Sequence, residues 1–304
     1  MTACSNGLMV DNMKSITLLA PAKINLSLSI TGRRPDGYHL IRSVMQAVTL
    51  FDTVKVTRTA GNEISVRCDR PEIPCGKDNI AYRAAEQFFS AVGIPVSGLE
   101  IEIKKQIPSQ AGLGGGSADG AAVLFALNRL FQAELPADRL QQIGLSVGAD
   151  VPFFLIGGTA LAEGIGELLS PVCPLPDCNI VISKPPVSVS TPAAYQAFDR
   201  SGCTAADASD ALIAALSQKN LVTAARNIHN IFEQLLSLPE VSALKSILLS
   251  NGALQAAMSG SGSAVYGIFH DRHQAEKAFA ACRTLNSETF LCRPYTAGIT
   301  ESEI

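Results

Sequence analysis

The chain has 304 residues, of which 47% are hydrophobic and 17% are charged, and its formal charge at pH 7 is −3. At about 150 residues per domain this length predicts two domains, and the apolar content excludes a wholly disordered protein. The near-neutral charge, without a run of Lys or Arg, argues against binding to a nucleic-acid polymer, which needs concentrated positive charge. No apolar stretch reaches the roughly 20 residues of a membrane helix.

The cysteines form no recognisable disulfide or zinc pattern. The chain has eight of them, no Cys-x-x-Cys, and no His near the closest pair, Cys173 and Cys178. Buried free thiols in a reducing compartment are therefore expected. Residues 1–14 carry no signal or transit features, which predicts a flexible tail and a cytoplasmic protein.

The first regular pattern is a strand over residues 22–30. Apolar and polar residues alternate through it, which predicts a half-buried strand with Lys23 and Asn25 on one face, about 7 Å apart. A lysine in this setting is more often a snorkelling edge residue than a catalytic group. A turn at residues 33–37 follows, and then a β-branched strand over residues 44–56.

Tyr38 and His39 stand side by side directly after that turn. Their rings and hydrogen-bonding groups suit a heteroaromatic base, but a hairpin end with one buried tyrosine is equally ordinary.

The strongest signal is a glycine cluster, in which five of the nine residues from Gly112 to Gly120 are glycine. It lies between a predicted strand at residues 99–104 and a predicted helix at residues 118–131. Glycines let a backbone approach a ligand closely, and a helix that starts at Ser117 directs free N–H groups into the loop. The pattern therefore predicts a triphosphate site. It is neither a Walker A loop nor G-x-G-x-x-G, and a tight strand-to-helix turn is the alternative.

Asp150 occupies a junction between a helix that Gly148 ends and a segment that Pro152 restrains. An aspartate in such a turn is most often a turn former, whereas a functional one would be a proton acceptor or a metal ligand.

The other predicted elements mix without a regular βαβ alternation, which favours an α+β fold with a boundary near residues 162–171. The predicted helices cover residues 79–91, 136–147, 191–198, several segments within 207–250, and 273–285. The predicted strands cover residues 152–156, 158–162, 179–183, 254–259 and 264–269, with a Gly/Ser turn at residues 260–263.

Taken in order, these segments resemble the GHMP kinases, the superfamily of galactokinase, homoserine kinase and mevalonate kinase. The resemblance runs from about Leu18 to the C-terminus and is carried by Pro21–Leu26, Arg34–His39, Pro108–Ala118, Gly148–Pro152, Ala162–Glu167 and Ser259–Ser263. It implies a two-domain α+β fold: residues 15–165 as a ribosomal-protein-S5-domain-2-like N-terminal domain, and residues 166–304 as a ferredoxin-like α/β-plait C-terminal domain. Within the superfamily the motifs match the branch that phosphorylates the 2-hydroxyl of a cytidine-diphosphate-linked methylerythritol in the non-mevalonate route to isoprenoids.

The resemblance also implies the roles of single residues. Lys23 and Asp150 would be the catalytic pair, Asn25 would lie beside the polyol, and Tyr38 and His39 would belong to the cytidine pocket. Tyr195 would stack on the cytosine. ATP would bind to the loop made of Pro108, Ser109, Gln110, Ala111, Gly112, Leu113, Gly114, Gly115, Gly116, Ser117 and Ala118.

The chain departs from the family pattern at two places. Ser109 and Gln110 stand where the family often has Met or Val and then Gly or Ala, and Gly120 replaces a small or Asn-type residue. Mg²⁺ is expected with ATP, but its ligands are not identified. Glu163 and Glu167 are candidates only, since acidic side chains of this kind are more often solvated or structural.

Two other functions remain open at this stage. One is a GHMP kinase for a smaller alcohol of the homoserine or mevalonate type, against which the motif at residues 36–39 argues. The other is a non-catalytic nucleotide- or RNA-binding protein, against which Lys23, Asp150 and the lack of a basic patch argue. The expected partners are small molecules, with no nucleic-acid polymer and no membrane, and the expected state is a monomer or homodimer.

Overall fold

The computed structural model describes residues 14–203 and 207–302, so the predicted tail lies outside the described residues except for Lys14. The described strands are β1 (Ser15–Arg33), β2 (His39–Arg58), β3 (Ile64–Cys68), β4 (Leu99–Lys104), β5 (Thr159–Glu163), β6 (Leu168–Pro171), β7 (Asn179–Ser183), β8 (His229–Asn230), β9 (Gln255–Met258), β10 (Val265–Phe269), β11 (Thr289–Cys292) and β12 (Thr300–Glu301). The described helices are α1 (Ile80–Val92), α2 (Gly115–Leu130), α3 (Ala137–Val147), α4 (Val151–Ile156), α5 (Thr191–Ser201), α6 (Ser209–Ser217), α7 (Leu221–Arg226), α8 (Ile231–Leu235), α9 (Pro239–Ser250) and α10 (Arg272–Arg283).

The strands form two sheets. The first has the order β12-β1-β2-β4-β3, with β5 and β6 continuing from β2 and β8 pairing with β1. The second has the order β11-β7-β10-β9, with antiparallel neighbours throughout. Helices α5–α9 connect the first two strands of this second sheet and α10 connects the last two, which is the β-α-β-β-α-β order of a ferredoxin-like unit. The α+β prediction is confirmed.

The prediction of a half-buried first strand is wrong, because β1 is buried on both faces from Ala20 to Ile30. Leu18 packs in the core under α1–α4, whereas Ile24 packs in a second core that includes α6 and α7. The alternation shows which side chains of the strand are polar, but it does not show that they are exposed. Polar side chains can also be buried when they make hydrogen bonds to other groups of the protein. One such partner is Ser209, whose hydroxyl lies 2.9 Å from the Ser27 hydroxyl.

Residues 152–156 form α4 and not the predicted strand. Pro152 fits the first turn of a helix, where its missing N–H is not needed. Phe153 and Phe154 are fully buried in the core beneath the first sheet. The apolar run was therefore a short buried helix, which periodicity cannot distinguish from a buried strand.

Other predicted elements agree with the structure. The strands at residues 99–104 and 179–183 are β4 and β7. The side chain of Asn79 caps α1 by accepting from the N–H of Ala81, and Gly93 ends that helix in the left-handed region. In the part of the chain that the structure describes, no helix combines the length and apolar character needed to cross a membrane, and seven cysteines are free.

Candidate active site

A cavity of about 700 Å³ is lined by residues from both halves of the chain. It brings together nine of the predicted site residues: Lys23, Asn25, Tyr38, His39, Gly112, Gly114, Ser117, Asp150 and Tyr195. The other predicted loop residues are not among those that line the cavity: Pro108, Ala111, Leu113, Gly115 and Ala118 are buried, and Ser109, Gln110 and Gly116 are exposed. Positions far apart in the sequence thus meet at one place.

Lys23 supplies a buried positive charge to this cavity. Its residue is 4% exposed, its Nζ donates to Asn25 Oδ1 at 2.5 Å, and it lies 4.0 Å from Asp150 Oδ2. Burial lowers the pKa of Lys23, and the negative charge of Asp150 works in the opposite direction. The aspartate therefore helps to keep the lysine charged.

Asp150 directly precedes α4 as its N-cap residue, but its side chain makes no capping hydrogen bond. The side chain is 35% exposed and faces the same cavity as Lys23. The turn-former alternative explains the position of the backbone but gives no role to the carboxylate, which pairs with Lys23. That carboxylate is available to a ligand.

The amide of Asn25 is held in one orientation. Its Nδ2 donates to Ser43 Oγ at 2.8 Å, and Ser43 Oγ donates its own proton to the Ser27 carbonyl at 2.6 Å. A hydroxyl that has used its proton can only accept, so the NH₂ group of Asn25 must face Ser43. This arrangement turns Oδ1 toward Lys23 and fixes where the ammonium lies.

Two glycines set the course of the phosphate loop, residues 108–118. Gly112 and Gly114 have φ of 75° and 74°, which side chains rarely allow. A Cβ on Gly112 would lie 1.9 Å from the Ser259 carbonyl oxygen, and one on Gly114 would lie 2.5 Å from the Phe154 ring. The loop also joins β1, since the N–H of Lys23 donates to the Leu113 carbonyl at 3.0 Å.

The helix after the loop starts at Gly115, two residues before the expected start at Ser117 and three before the predicted helical stretch at residues 118–131. Gly114 is its N-cap and no side chain caps it, nor does its first turn carry an acidic residue. An uncapped helix start presents backbone N–H groups and the positive end of the dipole. With Gly114 and Ser117 on the cavity wall, this start is suited to an anion.

The second small-residue loop, 259–263, packs directly on the phosphate loop. Ser259 Oγ donates to the Gly112 carbonyl at 2.9 Å, and the N–H of Ala264 donates to the Ala111 carbonyl at 3.1 Å. Gly260 and Ser261 also line the cavity. The C-terminal half therefore fixes the loop from behind as well as completing the wall.

Aromatic side chains form another part of the cavity lining, which we call the aromatic wall: His39, Tyr195 and Phe232. The His39 and Tyr195 rings are stacked at 4.8 Å and 19°, and Phe232 meets the Tyr195 ring edge-on at 5.2 Å. Burial, helped by the charge of Asp150, raises the pKa of Tyr195 to about 12. Tyr38 is 62% exposed at the rim of the cavity.

Sequence reasoning missed a buried cluster of charges behind the phosphate loop, made of Asp52, Lys105 and Asp119. Lys105 Nζ donates to Asp52 Oδ2 and to Asp119 Oδ2, the latter at 2.7 Å. Asp52 Oδ1 accepts the backbone N–H groups of Gln106 and Ile107 at 2.7 and 2.9 Å. The cluster thus ties the segment directly before the loop to the second turn of α2.

Burial works against charge on all three members of this cluster. It raises the pKa of Asp52 and that of Asp119, whereas the two carboxylates outweigh burial and raise the pKa of Lys105. A lone Asp in the β-branched strand and another in an Ala-rich helix were the only sequence signals for this cluster. Single charges within apolar elements are a reasonable sign of a buried pair.

Comparison with known proteins agrees with this geometry. Two family models match the chain: the GHMP kinases N-terminal domain over residues 79–158 and the GHMP kinases C-terminal domain over residues 212–287. Among solved structures, a crystal structure of 4-(cytidine 5'-diphospho)-2C-methyl-D-erythritol kinase superposes with a TM-score of 0.78 at 34% identity and covers 93% of this chain and 100% of its own. A homoserine kinase from Cytophaga hutchinsonii superposes with a TM-score of 0.75 at 21% identity, covering 99% of this chain and 100% of its own, and shares the fold.

Two relatives are similar over nearly their whole length. The 4-diphosphocytidyl-2-C-methyl-D-erythritol kinase of Acetivibrio thermocellus is 42% identical over 281 residues, which are 92% of this chain and 99% of the relative. The enzyme of the same name from Lachnoclostridium phytofermentans is 40% identical over 285 residues, which are 92% and 98% of the two chains.

Proposed function

The chain belongs to the 4-diphosphocytidyl-2-C-methyl-D-erythritol kinases of the GHMP family, and from this premise we propose how its cavity performs the reaction. These are ATP-dependent kinases, and the reaction transfers a phosphoryl group to the 2-hydroxyl of the cytidine-diphosphate-linked polyol, with ADP as the second product. The observation that carries the proposal is the Lys23–Asp150 pair at 4.0 Å, on a wall shared with an uncapped helix start and an aromatic face.

An enzyme accelerates phosphoryl transfer chiefly by positioning the two substrates and by neutralising the charge of the phosphates. The backbone N–H groups at the start of α2 hold the phosphates of ATP. Asp150 accepts the proton of the substrate hydroxyl while the hydroxyl oxygen bonds to the γ-phosphorus and the bond to ADP breaks. Lys23 stabilises the charge on the moving phosphoryl group, and Asn25 keeps the ammonium in place.

The substrate is held across the cavity from the phosphate loop. Tyr38 and His39 enter from the start of β2, and Tyr195 enters from α5. Stacking between a base and an aromatic ring is sequence-tolerant and contributes about 1–3 kcal/mol. The aromatic wall therefore takes the cytidine end, which leaves the polyol near Asn25 and the catalytic pair.

The donor set of this site fits Mg²⁺. That ion usually binds one or two protein oxygens together with substrate phosphates and water, so it needs no closed protein cage. Within the described ranges, no group of three or more His, Cys, Asp or Glu could hold a metal ion. Ser117 is the residue placed to offer a hydroxyl beside the phosphates. When bound, the ion would neutralise phosphate charge.

The two acidic candidates from the sequence have other partners. Glu163 accepts from Arg42 at 3.2 Å, and Glu167 accepts the N–H of Ile165 at 2.6 Å. The two domains at residues 15–165 and 166–304, the cytoplasmic location and the monomeric or homodimeric state stay predictions.

A coupled assay of ADP release tests the function. ADP should appear with ATP and the cytidine-diphosphate-linked polyol, and not with homoserine, with mevalonate or without an acceptor. Lys23→Met should lower kcat by about 10²- to 10³-fold, because one positioned group that stabilises charge in a water-poor site contributes that much. Lys55→Met is the matched control, since Lys55 is an exposed lysine paired with Glu102.

Asp150→Asn separates a base from a positioning group. A general base contributes roughly 10²- to 10⁴-fold to kcat, so the variant should lose activity on that scale. Nearly full kcat with an unchanged pH profile would exclude the base role. Because burial lowers the pKa of Lys23, the wild-type kcat should decline on the alkaline side below the ordinary lysine value of 10.5.

A further inference from the structure

One carboxylate at the aromatic wall has no task in the mechanism above. Asp199 lies four residues after Tyr195 on α5, and side chains at that spacing share one face of a helix. Both residues contact the same partner: the Tyr195 ring stacks on the His39 ring at 4.8 Å, and Asp199 Oδ1 lies 2.7 Å from His39 Nε2. One helix face therefore fixes both the plane of the imidazole and its rotation within that plane.

The hydrogen bond also determines which ring nitrogen carries the proton. A carboxylate without a proton can only accept, so Nε2 of His39 must be the donor. In a neutral imidazole the other nitrogen, Nδ1, then carries a lone pair and is an acceptor. His39 lines the cavity, with its side chain only 9% exposed. Nδ1 is therefore the nitrogen of this cavity-lining ring that is left to accept a hydrogen bond from a ligand.

We propose that Asp199 is a positioning residue of the substrate pocket, which holds His39 so that Nδ1 accepts a hydrogen bond from the 4-amino group of a cytosine base. This inference rests on the proposed function, which puts cytidine at the aromatic wall. Uracil has a carbonyl oxygen at the same place and cannot donate to a lone pair. Asp199 therefore contributes to the choice of cytosine over uracil, although it does not touch the base itself.

The remaining contact of Asp199 does not explain its position. Arg33 Nη1 lies 3.8 Å from Asp199 Oδ2, and the Arg33 side chain is 58% exposed. Exposed ion pairs of this kind contribute little. His39 Nε2 is the shorter contact, and the hydrogen bond to His39 is the main cause of the lowered pKa of Asp199. The aspartate therefore stays ionised and remains an acceptor.

The test compares Asp199→Ala and Asp199→Asn by steady-state kinetics, with the cytidine-linked substrate and its uridine-linked analogue. Asp199→Ala should raise KM for the cytidine substrate about ten-fold, the scale of one hydrogen bond to a charged group, and should leave KM for ATP within about two-fold. Its preference for cytidine over uridine, as a ratio of kcat/KM, should fall by a similar factor. Asp199→Asn keeps an acceptor oxygen and should stay within about three-fold of the wild type.

Asp177→Ala is the matched control, because Asp177 is also an exposed aspartate paired with an arginine, Arg293 at 2.9 Å, and does not line the cavity. It should behave as the wild type. An Asn variant as defective as the Ala variant would overturn the inference, since charge and not an acceptor would then matter. An unchanged ratio of cytidine to uridine activity in Asp199→Ala would also overturn it.

His39→Ala distinguishes failure of this inference from failure of the proposed function. If His39→Ala raises KM for the cytidine substrate and Asp199→Ala does not, the pocket is right and the role of Asp199 is wrong. If neither variant changes that KM, cytidine does not bind at the aromatic wall. When both act, the double variant should be no worse than His39→Ala alone, because Asp199 acts through the histidine.

Discussion

The phosphate loop and the aromatic wall line one cavity, yet they are built from different parts of the chain. The phosphate loop is one stretch of backbone whose shape depends on residues without side chains, such as Gly112 and Gly114. The aromatic wall consists of side chains from three separate segments, with His39 from β2, Tyr195 from α5 and Phe232 from α8. One side is held by steric limits and buried charge, the other by ring contacts and one hydrogen bond.

This difference determines what a substitution can do on each side. The phosphate loop is tied to both cores, through Lys23 on β1 and through the 259–263 loop, so damage there should reach both turnover and stability. The aromatic wall can lose one ring or one acceptor without moving the backbone. Damage there should change the KM for one substrate and leave ATP binding intact.

The largest expected effect comes from the buried charge cluster. Lys105→Met leaves Asp52 and Asp119 buried side by side without their cation, and loss of one partner of a buried ion pair costs about 3–5 kcal/mol. The free energy of unfolding, measured by denaturant titration, should fall by that amount. Lys55→Met removes an exposed lysine from a pair with Glu102 and should cost less than about 1 kcal/mol. Equal losses would mean that the cluster does not support the loop.

Gly112→Ala should damage activity most among substitutions of uncharged residues. The new Cβ would lie 1.9 Å from the Ser259 carbonyl, so backbone must move and the two loops must separate. We expect kcat/KM to fall by about 100-fold or more, equivalent to about 2.7 kcal/mol. Gly61→Ala is the control, because Gly61 has a φ of 106° and no atom within 4 Å of the added Cβ. Similar kinetics of the two variants would show that strain, and not the loop contact, is responsible.

The phosphate loop and the aromatic wall also differ in how much of their structure can be predicted from the sequence. The phosphate loop is local, and its glycines, the preceding strand and the following helix stand in one short segment, so its place in the fold was predictable. Its anion-binding character stays a prediction from the same segment. The helix start moved by only two residues, to Gly115. Lys23 and Asp150 could be predicted as a catalytic pair only because their motifs resemble a known family. Nothing in the local sequence shows that Lys23 on β1 lies close to Asp150 at the start of α4.

Side-chain pairs between distant segments were out of reach. The contact between His39 and Asp199 spans 160 positions, and that between Asp52 and Lys105 spans 53. These residues come together through the packing of distant segments against one another. Helix and strand propensities carry no information about that packing. The same limit explains β1: alternation identified its polar row correctly, but a second domain, invisible locally, buries that row.

Tyr195→Ala should sharpen the contrast between the two sides. Loss of a stacked ring costs about 1–3 kcal/mol, so KM for the cytidine substrate should rise about 5- to 150-fold. KM for ATP should stay within about two-fold, because the phosphate loop does not depend on this ring. Tyr195→Phe keeps the ring and should remain close to the wild type. A parallel rise in KM for both substrates would remove Tyr195 from the cytidine pocket.

The smallest expected effect concerns Gln110, which stands in the phosphate loop at a φ of 49°. A residue with a side chain in the left-handed region destabilises the folded protein by roughly 1–2 kcal/mol, and glycine removes this cost. Glycine in turn destabilises the folded protein by about 0.5–1 kcal/mol, because it makes the unfolded chain more flexible. Gln110→Gly should therefore raise the free energy of unfolding by about 0–1.5 kcal/mol, with both KM values unchanged, because Gln110 does not line the cavity.

Gln106→Gly tests the sign of that argument. Gln106 is exposed, lies four positions before Gln110 and is outside the set of residues with positive φ, so glycine brings no relief of strain there. Its N–H bond to Asp52 is kept, and only the entropic cost of about 0.5–1 kcal/mol remains. The two variants should change stability in opposite directions in denaturant titrations. If both lose stability equally, the phosphate loop does not hold Gln110 under strain, and its shape is then set by the glycines and the Ser259 contact alone.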